Sequence, residues 1–92
     1  MNRDALESLL SAAFEADAGE RRVVARAAGD LADSGVYEPD HGVELTPERV
    51  VDHLEDAPEG YGLVERWNWW MGALEVAHGG YDRFYVRVWT EA

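Results

Sequence analysis

A chain of 92 residues has room for one domain around one hydrophobic core, burying roughly 60–65% of the surface that its unfolded form exposes, so its stability margin is modest. Cysteine is absent, which excludes disulfides, thiolate catalysis and the commonest structural zinc sites and fits a reducing cytoplasm. Nineteen acids against eight arginines leave a net charge of −11, and no apolar run approaches the ~20 residues that cross a bilayer, so a membrane is not an expected partner.

The first predicted helix runs from Asn2 to about Ala16, where Leu6, Leu9, Leu10, Ala13 and Phe14 recur at helical spacing. Asn2 caps it and Asp4 complements its N-terminal dipole, while Asp4, Glu7 and Glu15 interrupt any signal-peptide segment. Asp17 followed by Glu20 resembles a capping box for a second helix with the apolar stripe Val23, Val24, Ala27, Ala28 and Leu31, ending near Gly35. So short a joint predicts an antiparallel pair, unless the two merge into one bent helix through Gly19. Residues 36–45, with Pro39 and Gly42, read as irregular, apart from a short strand over Val43, Glu44 and Leu45. Thr46 and Pro47 then open a third helix that reaches about Asp56, because threonine caps and proline is preorganised for the first helical turn.

From Leu63 onward two readings compete. Val64, Trp67, Trp70, Met71 and Leu74 share one side of a helix over 64–78 with Gly79 as terminator. The alternative is a β-meander with a hairpin loop at Met71-Gly72 and a second loop at Gly79-Gly80-Tyr81. The meander aligns more residues, since Trp67, Trp69, Leu74, Val76, Phe84, Val86 and Val88 then share one face. The expected fold is therefore α+β: two to three helices packed on one face of a small antiparallel sheet formed mainly by a C-terminal β-meander. Residues 1–60 are mainly helical and acidic, and 61–92 are aromatic strands of the same single domain.

That register gathers Arg66, Asn68, Trp70, Glu75, Arg83, Tyr85, Arg87 and Trp89 on the opposite sheet face, with Glu75 opposite Tyr85 and diagonal to two arginines. Aromatic and arginine side chains are the types enriched where proteins bind each other or stack on planar ligands. These eight are the candidate binding or interface residues.

Lysine, isoleucine and glutamine are also missing, and Asp, Glu, Ala, Val and Arg are favoured. Together with Trp67-Asn68-Trp69-Trp70-Met71-Gly72 and Gly79-Gly80-Tyr81-Asp82-Arg83-Phe84, this resembles the small acidic uncharacterised proteins of extremely halophilic archaea. The resemblance implies a salt-adapted cytoplasm, in which an acidic surface reports the solvent rather than a basic partner. It brings no function with it. Phosphate contacts weaken steeply with salt, so nucleic-acid binding by electrostatics alone is disfavoured.

Catalytic signals are sparse. His41, His53 and His78 lack any paired helical spacing, although Asp40-His41 with Glu44, or Asp52-His53 with Asp56, could offer metal ligands. Ser8, Ser11 and Ser34 have no nucleophile-elbow context. No cofactor and no catalytic residue is assigned. The sequence favours a non-enzymatic interaction or regulatory module, with a second copy or another protein as partner. A ligand or nucleobase-stacking platform on the same sheet face is the alternative, and a small metal-dependent enzyme ranks last.

Overall fold

A computed structural model gives the structure of the chain and describes residues 1–87. The described residues are helical: α1 (Arg3–Ala13), α2 (Ala18–Ser34), α3 (Tyr37–His41), α4 (Pro47–Glu55), α5 (Leu63–His78), and a 3-10 turn at Asp82–Phe84. No strand occurs among them, so the expected α+β class is replaced by an all-helical one.

The caps expected at the first helices are in place. Asn2 Oδ1 accepts from the Ala5 N–H at 3.0 Å and Asp17 Oδ1 from the Glu20 N–H at 2.8 Å, each satisfying a donor that the helix start leaves without a partner. Glu20, the other residue of the expected box, turns its carboxylate to the main-chain N–H of Val64 at 3.4 Å. The sharp stop of α2 is at Gly35, whose φ of 74° places it in the left-handed region that glycine enters without a steric cost. Arg3, at the start of α1, pairs with Asp30 and Asp33 near the end of α2 at 3.4 and 3.8 Å. This fixes the two helices antiparallel, as the short joint predicts.

Residues 36–45 differ from the sequence reading. A short helix, α3, forms there and tolerates Pro39 because the first helical turn has no N–H acceptor to lose. The expected strand at 43–45 is absent, and Leu45 points into the core. α4 starts as predicted, with Thr46 Oγ1 accepting from Arg49 N–H at 3.3 Å and Pro47 in the first turn.

The largest correction concerns α5. Both strands expected over 63–78 are one helix of 16 residues that passes straight through Met71-Gly72. Two local features decide it. Glu65 Oε1 accepts the Gly62 N–H at 2.9 Å, which starts a helix at Leu63, and Gly79, at φ 76°, ends it. Leu63, Trp67, Trp70, Met71 and Leu74 then recur at helical spacing and are all buried. A Met-Gly pair lacks the Asn, Asp or Gly that a tight hairpin wants at its first position, and only Val64 and Val76 of the segment are β-branched.

α5 is the central element. It packs against α2 and α4, α1 packs against α2 and α4, and α3 lies on α2. Leu6 and Leu10 of α1, Val24, Ala28 and Leu31 of α2, and Val50 and Leu54 of α4 close around Trp67 and Met71, all of them fully buried. After Gly80 the chain turns back along α5. Tyr81 and Phe84 enter the core, and residues 85–87 continue as a strap outside regular secondary structure, with Tyr85 in extended backbone. Val88 and Trp89, expected on the third strand, lie outside the described residues.

Candidate functional site

The tetrad Trp67-Asn68-Trp69-Trp70 spans one turn of α5, so its four side chains leave the helix in four directions. Trp67 is fully buried and its indole Nε1 donates to the Phe84 carbonyl at 2.8 Å. Trp70 is buried too, packed edge-on against Trp67 and Tyr37. Asn68 holds the strap by two bonds: its Nδ2 donates to the Val86 carbonyl at 3.0 Å and its Oδ1 accepts from the Val86 N–H at 2.8 Å. One side-chain amide thereby satisfies both main-chain polar groups of a residue outside the helices. Trp69 alone turns outward and is 36% exposed.

Glu75, nearly two turns beyond Asn68, holds the strap at its other end. Its Oε1 accepts from the N–H groups of Tyr81 and Asp82 at 2.8 and 2.9 Å. Between these anchors Gly72 lets the strap lie close. A Cβ built there would stand 3.2 Å from the Tyr85 hydroxyl. Arg87 closes the turn by donating to the Asp82 carbonyl at 3.1 Å and lies over the Tyr85 ring.

Glu65, Trp69, Ala73 and Val76 advance by four, four and three residues and so form one stripe along the outer side of α5. All four are exposed, Val76 to 91%. From Trp67 to Leu74 the helix carries no charge. Over that stretch only Asn68 is polar, and the side that carries Trp69 and Ala73 faces solvent.

Among the described residues the expected sheet face does not form, and its residues separate. Asn68, Glu75, Tyr85 and Arg87 remain together around the strap, as a structural latch. Arg83 is exposed on the 3-10 turn, its guanidinium 4.9 Å from the Phe84 ring centroid. Arg66 departs to another side of α5, donating to the carbonyls of Tyr61 and Leu54 at 3.0 and 2.9 Å and lying over Phe14. Trp70, expected at the centre of the contact face, is core, because helical periodicity turns it inward beside Trp67. Trp89 lies outside the described residues.

Sequence spacing missed a second cluster. The three histidines, which look unrelated along the chain, converge where α3, α4 and the end of α5 meet: His41 lies 6.5 Å from His53 and 5.2 Å from His78 between ring centroids. Tyr37 stacks on His41 at 3.9 Å, and His53 stacks on Trp70 at 4.5 Å. The Tyr37 hydroxyl lies 3.3 Å from His53 Nε2, His41 Nδ1 lies 2.9 Å from the Tyr37 carbonyl, and Tyr81 donates to Asp40 Oδ2 at 2.8 Å. A carbonyl can only accept, so His41 carries its proton on Nδ1. Burial raises the pKa of Tyr37, although Arg49 opposes it; burial followed by the bond and charge of Asp40 raises that of Tyr81. Both rings stay neutral phenols. Among the described residues no three His, Asp or Glu side chains stand where they could hold a metal ion, so neither ligand set suggested by the sequence assembles.

His53 gives this cluster a pH dependence. Burial lowers its pKa below the ordinary 6.5 and His41 acts in the same direction, against the opposing pull of Asp56 and Asp52. The unfolded chain therefore takes up this proton more readily than the folded one. Its contribution is fully present above pH 6.5 and declines as pH falls from there through the folded value. Urea midpoints of the wild type are expected to fall between about pH 7.5 and about pH 5.5 more steeply than those of His53→Gln. Equal slopes would remove His53 as the cause.

A family model described as a WNWW domain matches residues 1–75. The chain belongs to the WNWW domain family. No curated protein and no solved structure matches it. The four letters coincide with Trp67-Asn68-Trp69-Trp70, and the matched residues take in α1 to α4 and most of α5. Within the WNWW tetrad, Trp67 and Trp70 build the core, Asn68 latches a strap that lies beyond the matched residues, and Trp69 faces outward. No helix among the described residues is long and apolar enough to cross a membrane.

Proposed function

We propose that this WNWW domain is a non-enzymatic protein-interaction module of a salt-adapted cytoplasm, and that it makes contact through the outer stripe of α5. The observation that carries this reading is the exposure of Trp69 and Val76 on the outer side of the central helix. A tryptophan offers roughly 150–250 Å² of buriable surface, and tryptophan is among the residues that most often anchor interfaces. Arg83 and Arg87, exposed on the strap beside α5, supply a charged border of the kind that rims such contacts. The planar-ligand alternative loses support, because Trp70 is buried and the arginines do not share a platform with it.

A photoreactive residue placed at Val76 in the cell is expected to give a discrete covalent adduct, while the same residue at Glu48, exposed on α4, gives none. No adduct at Val76, or equal labelling at both positions, would overturn the proposal.

A further inference from the structure

We infer that the partner at the α5 stripe is a second copy of this chain, docked with its own α5 antiparallel to the first; the inference rests on the interaction reading above. Charge is the first argument. With a net charge of −11, and fifteen of the nineteen acids before residue 61, two copies repel each other over most of their surfaces. Along α5 the acids are few, and Glu75 is already engaged by two main-chain N–H groups. The stripe beside the strap, with Arg83 and Arg87 exposed next to it, is therefore where a like copy meets the least repulsion.

Shape and order along the helix are the second argument. A two-fold axis passing at Ala73 places residue i of one helix opposite residue 146 − i of the other. Trp69 then lies over Ala77 of the second copy, large against small, in both halves of the contact at once. That self-match is what an isologous interface requires. The small Ala73 at the crossing lets the helices approach closely, within the 8–10 Å usual for packed pairs. The 81–83 turn, held level with Glu75 by its two main-chain bonds, brings exposed Arg83 to the flank of the same contact. From Glu65 to Val76 the stripe is about 17 Å long at 1.5 Å per residue. Together with the strap, such a surface sits at the small end of specific interfaces. The dimer is accordingly reversible and strengthens as salt screens the remaining acids.

The test is sedimentation equilibrium of the full chain over a concentration series in about 2 M KCl, where the screening length is roughly 2 Å. The expected mass rises from 10.3 kDa toward twice that value. Val76→Glu and, independently, Ala73→Glu are expected to hold it at 10.3 kDa with the helical circular dichroism unchanged, and Arg83→Glu to weaken association about tenfold, equivalent to ~1.4 kcal/mol. A wild type that stays monomeric while the Val76 adduct contains a different protein overturns the second copy and leaves the interaction reading standing. A monomer with no adduct at all ends both. A dimer that survives both stripe substitutions overturns the assignment of this face.

Discussion

Trp67→Ala is expected to remove about 3–5 kcal/mol of folding stability, the cost of emptying a fully enclosed indole site. The side chain is 0% exposed, and its Nε1–H is spent on the Phe84 carbonyl. The substitution therefore opens a cavity beneath α2 and α4 and also unfastens the strap from α5. Since domains of this size hold roughly 5–15 kcal/mol in total, the variant stands near the edge of folding. Trp67→Phe, which keeps much of the volume and loses the hydrogen bond, falls between. Trp69→Ala, at the outward position of the same tetrad, is expected to cost under about 1 kcal/mol, as surface changes do. Urea titrations of the three variants in concentrated KCl measure this directly. Equal losses at Trp67 and Trp69 would contradict the helix.

The second large effect is one of salt. Transfer from about 2 M KCl to millimolar ionic strength lengthens the screening distance from roughly 2 Å to beyond 30 Å, and at a net charge of −11 the acids then repel one another across the whole molecule. The arginines offer limited relief. Arg3 pairs with Asp30 and Asp33, but Arg21, Arg49, Arg66 and Arg87 direct their guanidinium groups to main-chain carbonyls of Ala16, Glu44, Tyr61, Leu54 and Asp82. They brace turns and helix ends rather than neutralise acids. Helical circular dichroism is expected to diminish on dialysis into dilute buffer and to return when KCl is restored. An unchanged spectrum would remove the salt-adapted reading, and with it the reason for taking the acidic surface as a response to solvent.

Where the chain carries a local signal, its sequence announces the structure. Asn2, Asp17 and Thr46-Pro47 mark helix starts through side-chain chemistry confined to a few neighbours, and Gly35 marks a stop through its backbone freedom. All four serve as expected. α5 misleads because Trp69 and Val76, which are apolar but exposed, complete an alternation with Trp67 and Leu74 that imitates a strand. The helical spacing of Trp67, Trp70, Met71 and Leu74 was equally visible, and the cap that decides for it lies outside the run, at Gly62 and Glu65. The two residues that created the false strand are those that now define the outer stripe.

The rest of the site depends on tertiary proximity. His41, His53 and His78 meet only because α3, α4 and the end of α5 converge, and no interval between them encodes that. Asn68 and Glu75 read as polar residues of a strand face until the chain folds back and presents them with the main chain of residues 81–86. Of the interface residues expected from sequence, Arg83, Tyr85 and Arg87 stay beside the proposed contact. Trp70 exchanges places with Trp69, a shift of one residue that carries the side chain about 100° around the helix.

Hydroxyl-radical footprinting of the tryptophans, read by mass spectrometry at low and high protein concentration in the same KCl buffer, tests most directly whether the tetrad is divided between core and contact. Trp69 is expected to be oxidised readily in dilute protein and to be protected in concentrated protein, while Trp67 and Trp70 react little at either. Ready oxidation of Trp67 or Trp70, or a Trp69 whose reactivity ignores concentration, would contradict that division.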